Sequence, residues 1–410
     1  MTNERNRPRR ILMVAYHFPP IAVSSGLQRS LSFANRLADA GWEVTVLTVS
    51  ERAYESVSPE QVKDIHPAVK VVRAFCLDTQ RHLSIKGRYL QAMALPDRWM
   101  SWILPALVAG LWITRRRHDA IWSTYPIPSA HLIASKLSRW RNIPLVADFR
   151  DPMFDDDFPN DPMQRRAHSR VERGVVAAST RMVFTTESTR RLYLERYPEL
   201  SREKTALIEN GYEEAYFRDL SPARNEALRT TLLHSGVVYP EDRDPTALFD
   251  ALARLKARGM GDRLRLELRA SGDDEYLQGL IAARDLQDMV ELLPRISYPE
   301  AIAEMVQGKS LLVLQGPSCN HQIPAKVYEY LRSGSDIIAL TPEGSDTAQL
   351  LRRAGVDKLA DIDDVDEIEA LLVDHVQNRG TSQLDDEFVK SLSRDGRAQT
   401  LLRLLEDALE

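Results

Sequence analysis

Cysteine is nearly absent from this chain of 410 residues, with only Cys76 and Cys319 far apart. That spacing fits neither a disulfide framework nor a thiolate zinc site, and it suits a reducing cytosol. An excess of either charge is lacking too. Lys plus Arg number 54 and Asp plus Glu 59, a net charge of −5, so no global positive field exists to hold a nucleic-acid backbone. No apolar run reaches the ~18 residues of a spanning helix. The longest, Trp102 to Ile113, is interrupted by Pro105 and Gly110. Ile11 to Ala15 is shorter than a signal-peptide core and leads into Pro19-Pro20, so it reads as a first strand. The loop after it lacks both the GxGxxG spacing and the P-loop lysine motif, which leaves dinucleotide binding and P-loop ATPase activity unsupported.

What is present is an average globular composition, 43% hydrophobic and 28% charged, in a chain long enough for two full cores. Apolar runs of strand length alternate with segments of helical period, the pattern of a doubly wound α/β protein. Ile11 to Ala15 precedes a helix carrying Leu27, Leu31, Ala34 and Leu37, which ends at Gly41. Further strands are expected at Glu43 to Val49, Ala120 to Trp122, Pro144 to Ala147, Met182 to Phe184 and Ala206 to Ile208. The pattern restarts at Leu232 to Gly236, with strands at Leu264 to Leu268, Val290 to Leu293, Leu311 to Leu314 and Ile337 to Leu340. We expect a Rossmann-like domain over 1–220, a linker candidate at Asp219 to Asn225, a second Rossmann-like domain over 228–392, and a last helix at 393–410 as a candidate to pack back on the first domain.

In open α/β sheets ligands sit beyond the carboxyl ends of strands. Tyr16 to Gly26 is one such loop. There Ser25 and Gly26 open a helix whose unpaired N–H groups suit an anion, although an ordinary Ser-Gly helix start reads equally well. Gln322 to Gly334 is another. Pro324 suits the first helical position, Gly334 the residue past the end, and Glu329 lies between apolar Val327 and Leu331. A carboxylate there can accept two hydrogen bonds at once, which suits adjacent ribose hydroxyls, against the alternative of a solvent-facing Glu.

These segments carry a resemblance. Tyr16-His17-Phe18-Pro19-Pro20 through Gly26, and Leu37 to Thr48, resemble the opening of retaining glycosyltransferases of family four; Pro324 to Leu331, Ser333-Gly334 and Glu343 to Thr347 resemble that family's donor-binding segment, and Asn210-Gly211 with Phe217 its interdomain boundary. The resemblance implies the GT-B architecture, two Rossmann-like doubly wound domains facing a central cleft, with the nucleotide sugar held mostly by the second and the acceptor by the first. It implies no metal and no other cofactor. Carried over, Glu329 matches the ribose-binding second glutamate of the E-x7-E motif, while His321 stands where the first glutamate is expected. Gly236-Val237 replaces the frequent Gly-Arg, and Arg243 fits the second basic position, where a guanidinium would stabilise the leaving diphosphate. Pro324 and Lys326 fall in the donor segment with them.

The loop Ala147 to Met153 has Arg150 where many relatives have a histidine. Asp148, Arg150 and Asp151 are expected near the acceptor hydroxyl or the donor sugar, Asp148 on the acceptor side and the other two in catalysis, unless they form a structural Arg-Asp network. Asp155-Asp156-Asp157 reads as a solvated charge run rather than a metal motif, and His131 as a capping or half-buried histidine. Trp99, Trp102 and Trp112, with Arg115-Arg116-Arg117, suit either an anionic membrane surface or a core helix with a basic end. The expected activity is retaining transfer of a sugar from a nucleotide-diphosphate donor to a hydroxyl of a lipid-linked or polysaccharide precursor, in the cytoplasm or at the inner membrane face. A nucleotide-sugar 2-epimerase and a catalytically degenerate nucleotide-sugar-binding protein are the alternatives.

Overall fold

The computed structural model describes residues 7–22, 26–86, 88–155, 158–221, 230–378 and 383–409. It divides into two compact units, Met1–Glu209 with Asp395–Glu410, and Asn210–Arg394. The first unit holds strands β1 (Arg10–Val14), β2 (Glu43–Val49), β3 (Lys70–Ala74), β4 (Ala120–Thr124), β5 (Leu145–Phe149), β6 (Arg181–Phe184) and β7 (Thr205–Leu207). The second holds β8 (Thr230–Ser235), β9 (Leu264–Arg269), β10 (Val290–Leu293), β11 (Ser310–Leu314), β12 (Ile337–Leu340) and β13 (Leu359–Ala360).

The first sheet runs β3-β2-β1-β4-β5-β6-β7 and the second β10-β9-β8-β11-β12-β13, and every pairing among the described strands is parallel. Parallel strands are covered on both faces, which is why β1, β4 and β5 are apolar and buried almost throughout. Alternate residues serve opposite layers. Leu12 and Val14 pack with the helices Ile103–Ile113 and Pro128–Arg141, whereas Ile11 and Met13 pack with the helix Leu27–Asp39 and with Ala398, Leu401 and Leu405 of the C-terminal helix. Two strands escape sequence reading. The exposed Lys70 and the half-buried Val71, Val72 and Arg73 blur β3, and β13 has two residues.

The unit boundary at Glu209/Asn210 precedes the 219–225 linker candidate because Tyr212 and Phe217 already pack with Leu233, Val327 and Leu331 in the second core. Residues 222–225 of that candidate lie outside the described residues. Among the described residues no helix is long and apolar enough to cross a membrane.

The three tryptophans separate. Trp102 is sealed in the core, Trp99 is half-buried with its ring 4.5 Å from that of Tyr16, and Trp112 alone is exposed. The expected interfacial group therefore reduces to Trp112, because the chain before the helix folds inward.

Candidate functional site

Each sheet reverses its winding once, between β1 and β4 in the first and between β8 and β11 in the second. Ligands of doubly wound sheets bind past the carboxyl ends of the strands at that point. The loops found there carry most of the residues singled out from sequence.

In the second unit the loops after β8 and β11 pack on each other. A Cβ on Gly316 would collide with the Asp242 carbonyl, and Ser318 Oγ donates to Asp242 Oδ1 at 3.1 Å. Gly236 has φ +116°, a conformation side chains avoid, and a Cβ there would sit 3.2 Å from Lys326 Nζ. The ammonium of Lys326, which belongs to the helix Ala325–Ser333, donates to Nε2 of the fully buried His234 at 3.1 Å. His234 Nδ1 donates in turn to the Leu312 carbonyl at 2.9 Å, which fixes Nε2 as the acceptor. Burial, then the charge of Arg243, push the Lys326 pKa down to about 7, with Glu329 opposing.

Arg243 has no carboxylate partner among the described residues. Its Nε is buried without a hydrogen bond, and its guanidinium carbon stands 5.3 Å from the centre of the Tyr239 ring. Arg243 and Lys326 thus feel each other's charge with no ion pair to either among the described residues, while Glu329 acts on Lys326 through its charge alone.

Glu329 is buried, which removes the solvent-facing reading. Burial raises its pKa, against a 2.5 Å hydrogen bond from Tyr298 Oη to Oε1 and the charges of Arg394 and Lys326. One oxygen of the carboxylate is therefore already engaged. Pro324 sits at the N-cap rather than the first helical position, with ψ 134°, since its extended conformation turns the chain out of the preceding loop. Gly334 ends the helix in the left-handed conformation as expected. His321 is exposed on the loop between.

In the first unit the outcome differs. Asp148 is fully buried, its two oxygens taken by Arg29 Nη2 at 2.7 Å and Nε at 2.9 Å, with Thr124 Oγ1 at 3.0 Å. The same guanidinium donates to the Ile208 and Glu209 carbonyls. Both oxygens expected on the acceptor side are thus engaged inside the unit, and the buried pair ties β5 to the helix Leu27–Asp39 and to the chain after β7. Arg150 approaches the loop after β1 so closely that a Cβ on Gly26 would collide with its Nη1 and lie 2.8 Å from His17 Nδ1. Burial and the Arg150 charge push His17 down to about 3. The Arg150 guanidinium therefore fills the space beside the Gly26 backbone. Ser25 lies outside the described residues.

Asp151 is half-buried and accepts no hydrogen bond among the described residues. Burial raises its pKa, Arg150 lowers it and Asp148 raises it. Beside it, past the end of β4, opens a cavity of about 330 Å³ lined by Tyr89, Asp97, Arg98, Trp99, Tyr125 and Phe158 among others. Asp97 accepts from Ser129 N at 2.7 Å and Trp99 N at 3.0 Å, which holds the cavity wall to the next helix. His131 is a core residue, its Nδ1 2.6 Å from Ser123 Oγ. Asp155 accepts from Phe158 N at 2.8 Å, while Asp156 and Asp157 lie outside the described residues.

Sequence reasoning missed His234, Tyr298, Arg29 and Gln315. Gln315 is fully buried and its amide donates to the Cys319 and Gln322 carbonyls, which holds the loop before Pro324. A histidine inside an apolar strand was the one available signal, for His234. The other three acquire meaning only through partners distant in sequence.

Residues 26–211 match the family model of the glycosyl transferase 4-like domain. No curated protein sequence matches significantly. Among solved structures, sucrose-phosphate synthase from Thermosynechococcus elongatus is similar with a TM-score of 0.67 at 13% identity, covering 98% of this chain and 99% of that one. Anabaena Alr3699/HepE in complex with UDP gives 0.68 at 11%, covering 97% and 100%. The lipopolysaccharide outer core galactosyltransferase WaaB in its apo form gives 0.66 at 12%, covering 97% and 99%.

Proposed function

Since this chain carries a glycosyl transferase 4-like domain over residues 26–211 within a GT-B fold, and is thus a glycosyltransferase, we propose that it transfers a sugar, with retention, from a nucleoside-diphosphate donor to a hydroxyl of a lipid-linked or polysaccharide precursor. The observation that carries this is the pair of cations, Arg243 and Lys326, without a carboxylate of their own at Gly236, beside the buried Glu329. A diphosphate supplies the missing charge.

In the reaction the bond from the anomeric carbon to the diphosphate oxygen breaks and its electron pair stays on the phosphate. The acceptor oxygen bonds to the same face of that carbon, and its proton passes to the departing phosphate. Negative charge on the leaving group grows along this path, so Arg243 and Lys326 stabilise the transition state more than the ground state. Lys326 stands in for the arginine that Val237 replaces, which supports a working enzyme over a degenerate one. Gly236 leaves room for the ammonium, and Pro324 starts the helix whose N–H groups face the same loop.

Glu329 takes the ribose hydroxyls, with Tyr298 holding one of its oxygens. His321 borders the sugar. In the first unit Arg150 and Asp151 are the groups offered to the acceptor hydroxyl, Gly26 lies in the loop that Arg150 meets, and the aromatic cavity past β4 takes the acceptor saccharide against Trp99, Tyr125 and Tyr89. Asp148 acts only through Arg29.

Because the Anabaena structure holds UDP, uridine donors are the first to try. The test is a thermal melt with UDP-, GDP- and ADP-sugars, since a ligand of the folded state raises the Tm. One nucleotide class should raise it, and Glu329→Ala should abolish the rise while the protein stays folded. No rise with any of them overturns the reading.

A further inference from the structure

Tyr298 stands at the first position of the helix Tyr298–Met305, and the local sequence Ser297-Tyr298-Pro299-Glu300 fixes it there. Ser297 Oγ accepts from Glu300 N at 3.4 Å while Ser297 N donates to Glu300 Oε2 at 2.8 Å, a reciprocal cap that pins the first turn. Glu304 of the same helix accepts from Arg269 Nε at 3.0 Å and Nη2 at 2.6 Å, which ties the helix to β9. The Tyr298 ring stands edge-on to that of Tyr216, with centroids 4.9 Å apart and planes at 90°. Backbone and ring are thus both placed without the hydroxyl, which has one hydrogen-bond partner among the described residues, Glu329 Oε1 at 2.5 Å.

Glu329 needs that partner. The fold leaves it 7% exposed, and burial opposes the charge of its carboxylate. The groups that support the charge are Tyr298 from the neighbouring helix, Arg394 from the end of the unit and Lys326 one turn back on the same helix. Of the three only Tyr298 makes a hydrogen bond to it; the other two act through charge and do not turn the group. Oε2 accepts no hydrogen bond among the described residues.

We propose that Tyr298 is a positioning residue of the donor site, whose hydroxyl holds Oε1 of Glu329 so that the carboxylate presents Oε2 to the ribose hydroxyls. The inference rests on the reading of this loop cluster as the nucleotide site. It gives the phenol a second effect as well. An ionised carboxylate only accepts, which is what hydroxyl donors require, whereas a protonated one gives up an acceptor position and the charge that strengthens the bonds. The bond from Tyr298 favours the ionised form against burial. Ribose recognition therefore holds above the pKa of Glu329 and is lost as pH falls through it, and removal of the phenol hydroxyl moves that loss to higher pH. The phosphates are bound elsewhere, so what disappears is the selection for a ribose.

The experiment is calorimetric titration of the full chain with UDP, GDP and ADP and with the 2′,3′-dideoxy form of each, between about pH 5.5 and 8. The ratio of the two affinities cancels the titration of the phosphates and of Lys326. In the wild type the ribose form of the accepted nucleotide should bind at least about tenfold tighter across the range, the scale of hydrogen bonds to a charged group. In Tyr298→Phe that preference should fall towards unity at the acid end and recover in part at the alkaline end. Affinity for the dideoxynucleotide should stay unchanged, which also shows that the variant folds. In Glu329→Gln, which has no carboxyl proton to gain, adding Tyr298→Phe should leave the preference independent of pH. Equal losses for the ribose and dideoxy forms would make Tyr298 merely structural and overturn the proposal, as would a wild-type preference that Tyr298→Phe leaves unchanged at every pH. Binding of a diphosphate without ribose preference in the wild type overturns this inference and leaves the transferase reading standing. No binding of any diphosphate overturns both.

Discussion

Both units place charged residues at the same topological position, yet they use them in opposite ways. In the N-terminal unit Arg29 and Asp148 neutralise each other in a bidentate pair that is almost entirely buried. In the C-terminal unit the charge of Arg243, after burial, raises the cost of charging Lys326. A pair whose charges cancel is accounted for within the fold, whereas like charges brought together without a carboxylate are the better candidate for an anionic ligand. Charge at a switch point therefore marks function only after its partners are counted.

The sharpest way to break this contrast is to remove one member of the satisfied pair. Asp148→Ala leaves Arg29 buried without its carboxylate, at a cost of about 3–5 kcal/mol. For a unit of this size that corresponds to a fall in Tm of roughly 6–20 °C, measured by circular dichroism. A change within about 2 °C would return Asp148 to the acceptor face.

Removing a member of the unsatisfied pair should do the reverse. Arg243→Ala is expected to leave the Tm within about 2 °C and to lower kcat roughly 10²–10³-fold, the scale of a lost transition-state donor. Donor affinity should fall less than kcat, because leaving-group charge grows along the reaction. Equal losses in both would reduce Arg243 to ground-state binding.

How far the sequence exposes this contrast depends on the range of the interaction. Strands of four to seven apolar residues between helical periods identify two Rossmann halves, since burial of a parallel strand on both faces leaves a local signature. The helix carrying Glu329 and its end at Gly334 are readable because turn and helix chemistry is local, although Pro324 takes the N-cap and not the first helical position. The Arg29 to Asp148 pair joins residues 119 apart in sequence, and the Tyr298 to Glu329 bond joins two separate helices, so neither has a local trace. Trp102 to Ile113 is apolar all round, so periodicity could not say that Leu104, Val108 and Trp112 face outward while Trp102 is sealed. Only packing decides which side of such a helix is covered.

A finer test of the unsatisfied pair uses pH. The Lys326 pKa is held at about 7 in the free protein, and a bound diphosphate would raise it. Donor binding above pH 7 therefore takes up a proton, and affinity should fall as pH rises, by up to tenfold per unit until the bound-state value is passed. Below pH 7 Lys326 is already charged and the dependence should flatten. A nucleoside-diphosphate sugar, whose phosphates do not titrate there, keeps the slope assignable when measured by calorimetry. Lys326→Arg, always charged, should bind with little pH dependence across the same range. A wild-type profile as flat as that of the variant would mean that Lys326 does not meet the donor.

The smallest effect is expected at His321, where the family's first glutamate is missing. The loop it occupies is held by the Gln315 amide on the Cys319 and Gln322 carbonyls and by Asp346 N on the Asn320 carbonyl at 3.2 Å. These bonds run between other groups of the loop and remain when the ring is removed. The side chain is exposed, and exposed substitutions change free energies by about 0.5 kcal/mol or less, equivalent to roughly a twofold change. His321→Ala should therefore alter kcat/KM by no more than about threefold, with Arg243 and Lys326 still supplying the leaving-group stabilisation. His321→Glu restores the family's carboxylate and separates two meanings of its absence. If backbone groups of this loop and the cation pair suffice, the glutamate variant matches wild type within the same factor. A gain well above tenfold would show that the chain gave up a sugar contact at this position, and that the unsatisfied cations alone do not make the site complete.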